Sequence, residues 1–331
     1  MKKIDLYIHP AYGKTATTFL QEKIFEKTGF VNLGKPHDFT NKQKEKLVSL
    51  QYKIFQPKYS FNRMYPVNYS FLIKKYVNEL TNFILNSKKQ NFILSDECIF
   101  DRINYFGYFN IYLLKEVIEL LSVNFDISIK CIISIRKQYE YLISSYAYDN
   151  HRLKKNFGSF ENFLNEILSD NNLSEIYQYD LLIKKIKKIY NCEILVLPME
   201  ELENSYTEYL NKIENFLNVK IKNDLKDNTE VYKNSILINN KKSYYIRTLD
   251  FRSIIEGPIE NLNIFLKKYS IYKKNLKYIR YIKNIITPKI LKKNLISLNE
   301  NQKKEIQQHF KKSNQILEKI TNLNLKKFNY Y

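Results

Sequence analysis

A chain of 331 residues with a formal net charge of +20 can bury a full core, as one large domain or as one domain with an appendage. Its 44% hydrophobic and 27% charged residues are the proportions of a soluble globular protein, and no stretch approaches the unbroken apolar length that crosses a bilayer. The positive balance suits polyanionic ligands, whose local concentration it raises; the competing source of that charge is coding bias, since Lys shares AT-rich codons with the abundant Asn, Ile, Tyr and Phe.

The first predicted element is a strand over residues 4–8. It breaks at Pro10 and Gly13 and passes into a helical pattern, so Lys14, Thr15, Thr17 and Thr18 sit at the mouth of a helix. Unpaired backbone N–H groups and the helix dipole favour an anion there. Residues 30–66 read as irregular, interrupted by Pro36, Pro57 and Pro66. A helix over 69–87 and a strand over 91–97 follow, the strand ending in the polar pair Asp96-Glu97. A helix over 108–121 leads to a strand over 127–135. Arg136 comes next, then a helix whose apolar stripe is Tyr139, Leu142, Ile143 and Tyr146, spaced i, i+3, i+4, i+7. Helices over 160–168 and 174–189, a strand over 192–197 stopped by Pro198, and a helix over 206–217 continue the alternation. Beyond 235 the character changes: 267–293 is dense in Lys, Tyr and Ile, and a last helix over 300–323 carries Phe310, Leu317 and Ile320 on one face.

Strands alternating with helices predict an α/β fold, a central parallel sheet flanked by helices over 1–235, with a basic helical extension over 236–331 packed on it. Ligands of such sheets bind at the carboxyl ends of the strands. Lys14, Asp96, Glu97 and Arg136 each fall just past such an end. Cys98, Cys131 and Cys192 show no metal-ligand spacing, and no metal is expected. Cys131 and Cys192 lie in apolar runs and read as small core residues rather than ligands or bridges, which fits a reducing cytoplasm. Met1-Lys2-Lys3 could open a secretory leader, but Asp5 and His9-Pro10 interrupt its apolar part, so a cytoplasmic location is expected.

The first loop has two readings. A nucleotide-triphosphate P-loop needs Gly-x-x-x-x-Gly-Lys-Ser/Thr; Gly13-Lys14-Thr15 matches its end, but Ile8 holds the leading glycine position. Asp96-Glu97 after an apolar strand would then supply the acidic group for ATP and magnesium. The second reading is a resemblance. His9, Lys14, Thr15, Thr17, Thr18, Leu20 and Gln21 match the 5′-phosphosulfate loop of PAPS-dependent sulfotransferases of the bacterial or carbohydrate type, approximately His-x-Gly-x-x-Lys-Thr-Gly-Thr-Thr-x-Leu-Gln. Ala11 and Ala16 stand for two of its glycines, which alanine fits where φ is negative. Arg136, with Ser144 eight positions on, resembles the family's 3′-phosphate pair, and guanidinium grips phosphate bidentately. Ser95-Asp96-Glu97 is similar to the Ser-x-Glu after the second core strand of bacterial members. Ser313-Asn314-x-x-Leu317 with the aromatic Phe328 to Tyr331 looks like their C-terminal helix and terminus, and Lys233-Asn234-Ser235 like the late Asn-x-Ser that closes the cofactor pocket. Residues 30–90 and 236–300 carry no match.

The resemblance implies a P-loop-NTPase-like core, PAPS as donor with PAP as product, and sulfuryl transfer to an acceptor hydroxyl, on a bacterial surface carbohydrate or glycolipid. It assigns Gly13, Lys14, Thr15, Ala16, Thr17 and Thr18 to the 5′-phosphosulfate, Arg136, Ser144, Asn234 and Ser235 to the rest of the cofactor, and Lys14 to the charge on the leaving oxygen. The base that the acceptor needs is Glu97 by position, with Asp96, His9 and His151 as rivals; the plain alternative for Glu97 is a structural carboxylate pairing Arg102 or Arg136. The plain alternative for Lys14 is a surface lysine at a helix start. The stretch 267–293 has the Lys and Tyr that could bind nucleic acid but no recognisable nucleic-acid fold signature, so no nucleic-acid partner is expected. It could equally steer an anionic glycan or form a solvated face. Three classes stand: a PAPS-dependent sulfotransferase, a P-loop kinase or NTPase, and a non-enzymatic polyanion-binding protein.

Overall fold

The computed structural model describes residues 1–10, 12–34, 42–55, 69–96, 99, 109–221, 236–238, 241–246 and 294–331. Strands β1 (Lys2–His9), β2 (Val31–Asn32), β3 (Asn91–Ser95), β4 (Phe125–Ile135) and β5 (Glu193–Pro198) form one sheet in the order β2-β3-β1-β4-β5. Every pairing in it is parallel. Leu6, Tyr7 and Ile8 are consecutive and all buried, as are Cys131, Ile132 and Ile133. Since neighbouring side chains point to opposite faces, β1 and β4 are covered on both sides along these stretches, which is why 6–8 and 131–133 read as apolar. This is an α/β architecture, a parallel sheet flanked by helices, with the first loop leaving the central strand.

Among the described residues up to 221 the helices are α1 (Thr17–Phe19), which runs on through a π turn at Leu20–Ile24 and a 3-10 turn at Phe25–Lys27, then α2 (Lys42–Phe55), α3 (Tyr69–Asn86), α4 (Phe109–Leu121), α5 (Gln138–Phe157), α6 (Phe160–Ser169), α7 (Asn171–Glu175), α8 (Tyr179–Tyr190), α9 (Met199–Asn204) and α10 (Tyr206–Leu217). Helix α8 carries Asp180 in its first turn and Lys187 and Lys188 in its last, which complements its dipole, and it ends on Asn191 in the left-handed region. Helix α10 buries Tyr209, Leu210, Ile213 and Leu217 in one cluster with Tyr7, Leu20 and Ile24. Each such side chain contributes roughly 1.5–3 kcal/mol, the main force holding the first helical turns to the sheet.

Two expectations are corrected. Residues 30–66 are not irregular throughout, because β2 and α2 lie within them. Leu47, Leu50, Gln51 and Ile54 form the buried face of α2, an i, i+3, i+4, i+7 pattern. The extension over 236–331 is not helical throughout either. Its described part begins with β6 (Ile236–Ile238), β7 (Lys241–Ile246) and β8 (Asn294–Ile296), an antiparallel sheet. The runs Ile-Leu-Ile and Tyr-Tyr-Ile are β-branched and aromatic, and they fit a pleated surface better than a helix. The stretch 267–293 lies outside the described residues.

The chain divides into two compact units. Met1–Tyr141, Glu166–Tyr232 and Glu300–Tyr331 form the first; Leu142–Asn165 and Lys233–Asn299 form the second. Within the second, Tyr146 meets Phe160 and Phe163 at 5.1 and 5.4 Å between centroids. The last helix, α11 (Glu300–Thr321), belongs to the first. Its buried face is Ile306, Phe310, Ser313, Asn314 and Leu317, whereas Ile320 is only half-buried. Two polar residues face inward because both find partners: Ser313 Oγ donates to Asp180 Oδ1 at 2.5 Å, and Asn314 exchanges amide bonds with Gln138 at 2.8 and 3.1 Å.

Candidate active site

At the carboxyl rim, β1 ends on His9, β3 on Ser95 and β4 on Ile135, one residue after Ser134. The His9 ring is fully buried between them. Its Nδ1 lies 2.8 Å from Ser95 Oγ and its Nε2 lies 3.2 Å from Ser134 Oγ. Gln21, beyond the loop, donates its side-chain N–H to Ser95 Oγ at 3.0 Å. The two residues that bracket the loop therefore converge on one hydroxyl, which gives a physical reason for a His and a Gln at that spacing. Burial pushes the His9 pKa down to about 3, so the ring is neutral near pH 7 with both nitrogens engaged. That sets His9 apart from a proton carrier, contrary to its place among the candidate bases. Its neutral ring pins three strand ends together.

The loop itself is tightly wound. Lys14 and Ala16 both adopt left-handed backbone, φ 65° and 62°. The expectation that alanine sits at 16 with negative φ is thus overturned: Ala16 keeps the conformation a glycine would take, because the turn into α1 needs it. Ala11 lies outside the described residues. Thr15 is buried and its hydroxyl donates to the Tyr12 carbonyl, while the Tyr12 hydroxyl donates to Ile176 O at 2.8 Å. Thr17 is buried, Thr18 exposed, and Gly13 and Lys14 half-buried. A left-handed alanine costs roughly 1–2 kcal/mol, and glycine returns part of that as unfolded-state entropy. Ala16→Gly is therefore expected to stabilise the fold by about 1 kcal/mol in chemical unfolding; a destabilised variant would show that the turn is not strained.

Arg136 is brought to this loop. Its Nη1 donates to Lys14 O at 3.2 Å, and its Nη2 to Glu140 Oε2 at 2.7 Å. The guanidinium is only 5% exposed, so it is held in one orientation rather than waving in solvent. A shell of bonds fixes the turn that carries it. Tyr179 donates to Arg136 O at 2.7 Å, and Lys137 N–H donates to Glu200 Oε1 at 2.9 Å. Glu200 Oε2 accepts from Tyr330 at 2.7 Å, and Gln138 pairs with Asn314. Burial pushes the Glu200 carboxyl up, opposed by the Lys137 N–H. Ser144 is buried on α5 and falls among the residues of the second unit.

Asp96 is buried directly after β3, with its N–H on the His9 carbonyl at 3.3 Å. Gln51 of α2 donates to its Oδ2, and Tyr76 of α3 reaches Gln51 Oε1 at 3.5 Å. Burial first, then the Asp96 charge, pushes the Tyr76 phenol up. Glu97, Arg102, Asn234 and Ser235 lie outside the described residues, as does the side chain of His151. Gln51, Ser134, Glu140 and Glu200 escaped the sequence reading. Only Ser134 left a signal there, a lone hydroxyl inside Ile132-Ile133-Ser134-Ile135. Among the described residues, no group of three His, Cys, Asp or Glu is gathered as metal ligands would be, and no helix is long and apolar enough to cross a membrane.

No family model matches this chain and no curated protein matches its sequence. Among solved structures it is similar to a sulfotransferase from Alicyclobacillus acidocaldarius, with a TM-score of 0.48 and 9% identity over 98% of each chain. It is also similar to the sulfotransferase domain of the Synechococcus PCC 7002 olefin synthase, with a TM-score of 0.34 and 12% identity over 69% of this chain and 78% of that one. Likeness at this level carries no argument for a shared activity.

Proposed function

We propose that the protein transfers a sulfuryl group from PAPS to an acceptor hydroxyl at the carboxyl rim of the sheet. The observation that carries this reading is the hydrogen bond from Arg136 to the Lys14 carbonyl. It joins the lysine-threonine loop after β1 and the arginine after β4 into one cationic rim, which suits a nucleotide bearing phosphate at two positions. Two left-handed residues either side of Thr15 support the same reading, since such turns make concave rows of backbone N–H groups. Gly13, Lys14, Thr15, Ala16, Thr17 and Thr18 would hold the 5′-phosphosulfate end, and Arg136 the 3′-phosphate.

Bound PAPS supplies a sulfuryl group already activated on a phosphate. Lys14 places a cation where charge gathers as that group departs. Glu97 is the base in this proposal, taking the acceptor proton just beyond an Asp96 that Gln51 holds in place. His9 keeps the loop and the strands in register. The acceptor we assign is a carbohydrate hydroxyl, on the resemblance of the loop. Asp96 favours a second reading, ATP with magnesium, because it directly follows β3, the strand beside β1.

Calorimetric titration with PAP, with 5′-AMP and with ATP–magnesium separates these. Wild-type protein is expected to bind PAP, and Arg136→Ala to weaken it roughly 30-fold, as for loss of charge-assisted hydrogen bonds. 5′-AMP should lose less, because only the brace on the loop is gone. Lys14→Ala should weaken both. Preference for ATP–magnesium, or equal losses of PAP and 5′-AMP, would overturn the assignment, and no binding of any of the three would leave a polyanion-binding protein.

A further inference from the structure

The sequence separates Cys131 and Cys192 by sixty-one positions, and the fold brings their sulfurs to 3.4 Å. Cys131 sits inside β4, and Cys192 stands one residue before β5, the neighbouring strand. The register Cys131↔Ile194, with Lys130↔Glu193 beside it, makes the contact a consequence of sheet pairing rather than of loop placement. An ion pair between Lys130 and Glu193 at 3.2 Å holds that register. The two thiols are unlike. Cys131 is fully buried, whereas Cys192 is half-buried at a surface recess it shares with Lys130, Asn191 and Glu193. An oxidant reaches one sulfur only.

We propose that Cys131 and Cys192 are a reversible dithiol–disulfide site, with Cys192 the thiol that reacts with peroxide and Cys131 the one that resolves it. The chemistry balances with hydrogen peroxide as oxidant. The Cys192 thiolate attacks one peroxide oxygen, the O–O bond breaks, and hydroxide leaves and is protonated to water. Cys192 is then a sulfenic acid. The Cys131 sulfur attacks the sulfenyl sulfur, the S–O bond breaks, and the departing hydroxide takes the Cys131 proton as a second water. Two thiols are oxidised by two electrons and one peroxide is reduced. Closing the contact to a bond moves the sulfurs together by about 1.4 Å, a side-chain adjustment between adjacent strands.

The asymmetry agrees with the electrostatics. The sulfur–sulfur contact with Cys131 holds the Cys192 pKa below the ordinary thiol value against the cost of burial, with Lys187 assisting. The same contact and burial push Cys131 up. A low, reachable thiol beside a high, enclosed one is the arrangement that an attacking and a resolving cysteine need.

The test uses folded full-length protein, treated with hydrogen peroxide, alkylated, and mapped by mass spectrometry without reduction. The three thiols of the chain should fall to one, with Cys131 and Cys192 in one linked peptide pair and Cys98 still alkylated. Dithiothreitol should restore all three. In Cys131→Ala, peroxide with dimedone should tag Cys192; in Cys192→Ser, Cys131 should stay untagged, with circular dichroism confirming that both variants are folded. Three free thiols after peroxide, a linkage through Cys98, or equal tagging in the two variants would overturn the proposal. None of these readouts depends on the sulfotransferase reading.

Discussion

Taking the protein from pH 6.5 down to about pH 4 is expected to cost the fold roughly 3 kcal/mol through His9 alone. The ordinary imidazole pKa is 6.5, and burial lowers that of His9 to about 3. Between those values the unfolded chain binds a proton on this ring and the folded chain does not. Stability from His9 is therefore complete above pH 6.5 and is lost as the pH falls. No charged partner offsets this, because the two groups on the ring are the hydroxyls of Ser95 and Ser134. His9→Asn keeps a donor and an acceptor without a titrating group. Urea unfolding at several pH values should show a shallower acid slope for the variant than for the wild type. Parallel slopes would mean that the ring titrates as it does in water.

Gly34→Ala is expected to destabilise the fold by about 3 kcal/mol or more, at the upper end of overpacking effects. A Cβ at this position would lie 2.1 Å from the Ser95 carbonyl oxygen and 2.9 Å from Ser95 N and C. Those are backbone atoms at the end of β3, in the residue that also holds His9 and Gln21. Gly34 cannot back away easily, since its N–H is bonded to Asn32 Oδ1 at 2.9 Å and Leu33 N–H to Ile93 O at 2.7 Å. Gly29→Ala is the comparison. That residue has φ +72° but open space around it, so only the backbone cost of about 1–2 kcal/mol applies. Thermal unfolding of the two variants should differ clearly; equal losses would show that the β2 end moves aside.

The sheet was legible because its strands are buried on both faces. Residues 92–94 and 131–133 are apolar runs that admit few other readings. The loop was legible by its lysine and threonines, and Arg136 by its place after β4. What escaped depends on pairs distant in sequence. Gln51 matters because Asp96 arrives beside it from forty-five positions away, and nothing within α2 announces that. Helix α2 was hidden by the prolines around it. Two cysteines in apolar runs read as core, and only strand register makes them neighbours. The backbone of Ala16 follows from the turn it must complete, which residue type alone does not report. His9 was visible as a motif residue, but its enclosure comes from two serines on other strands.

The bonds between Asn314 and Gln138 span 176 positions, and that between Tyr330 and Glu200 spans 130. Chain emerges from the ribosome in order, and earlier segments fold first. A nascent chain with its five strands already made still lacks Asn314 and Tyr330, the late residues that bond Gln138 and Glu200 beside the Arg136 turn. Loop closure over such distances is slow compared with local pairing. The brace that Asn314 and Tyr330 give to the Arg136 turn is therefore completed late, after the five-stranded sheet has formed.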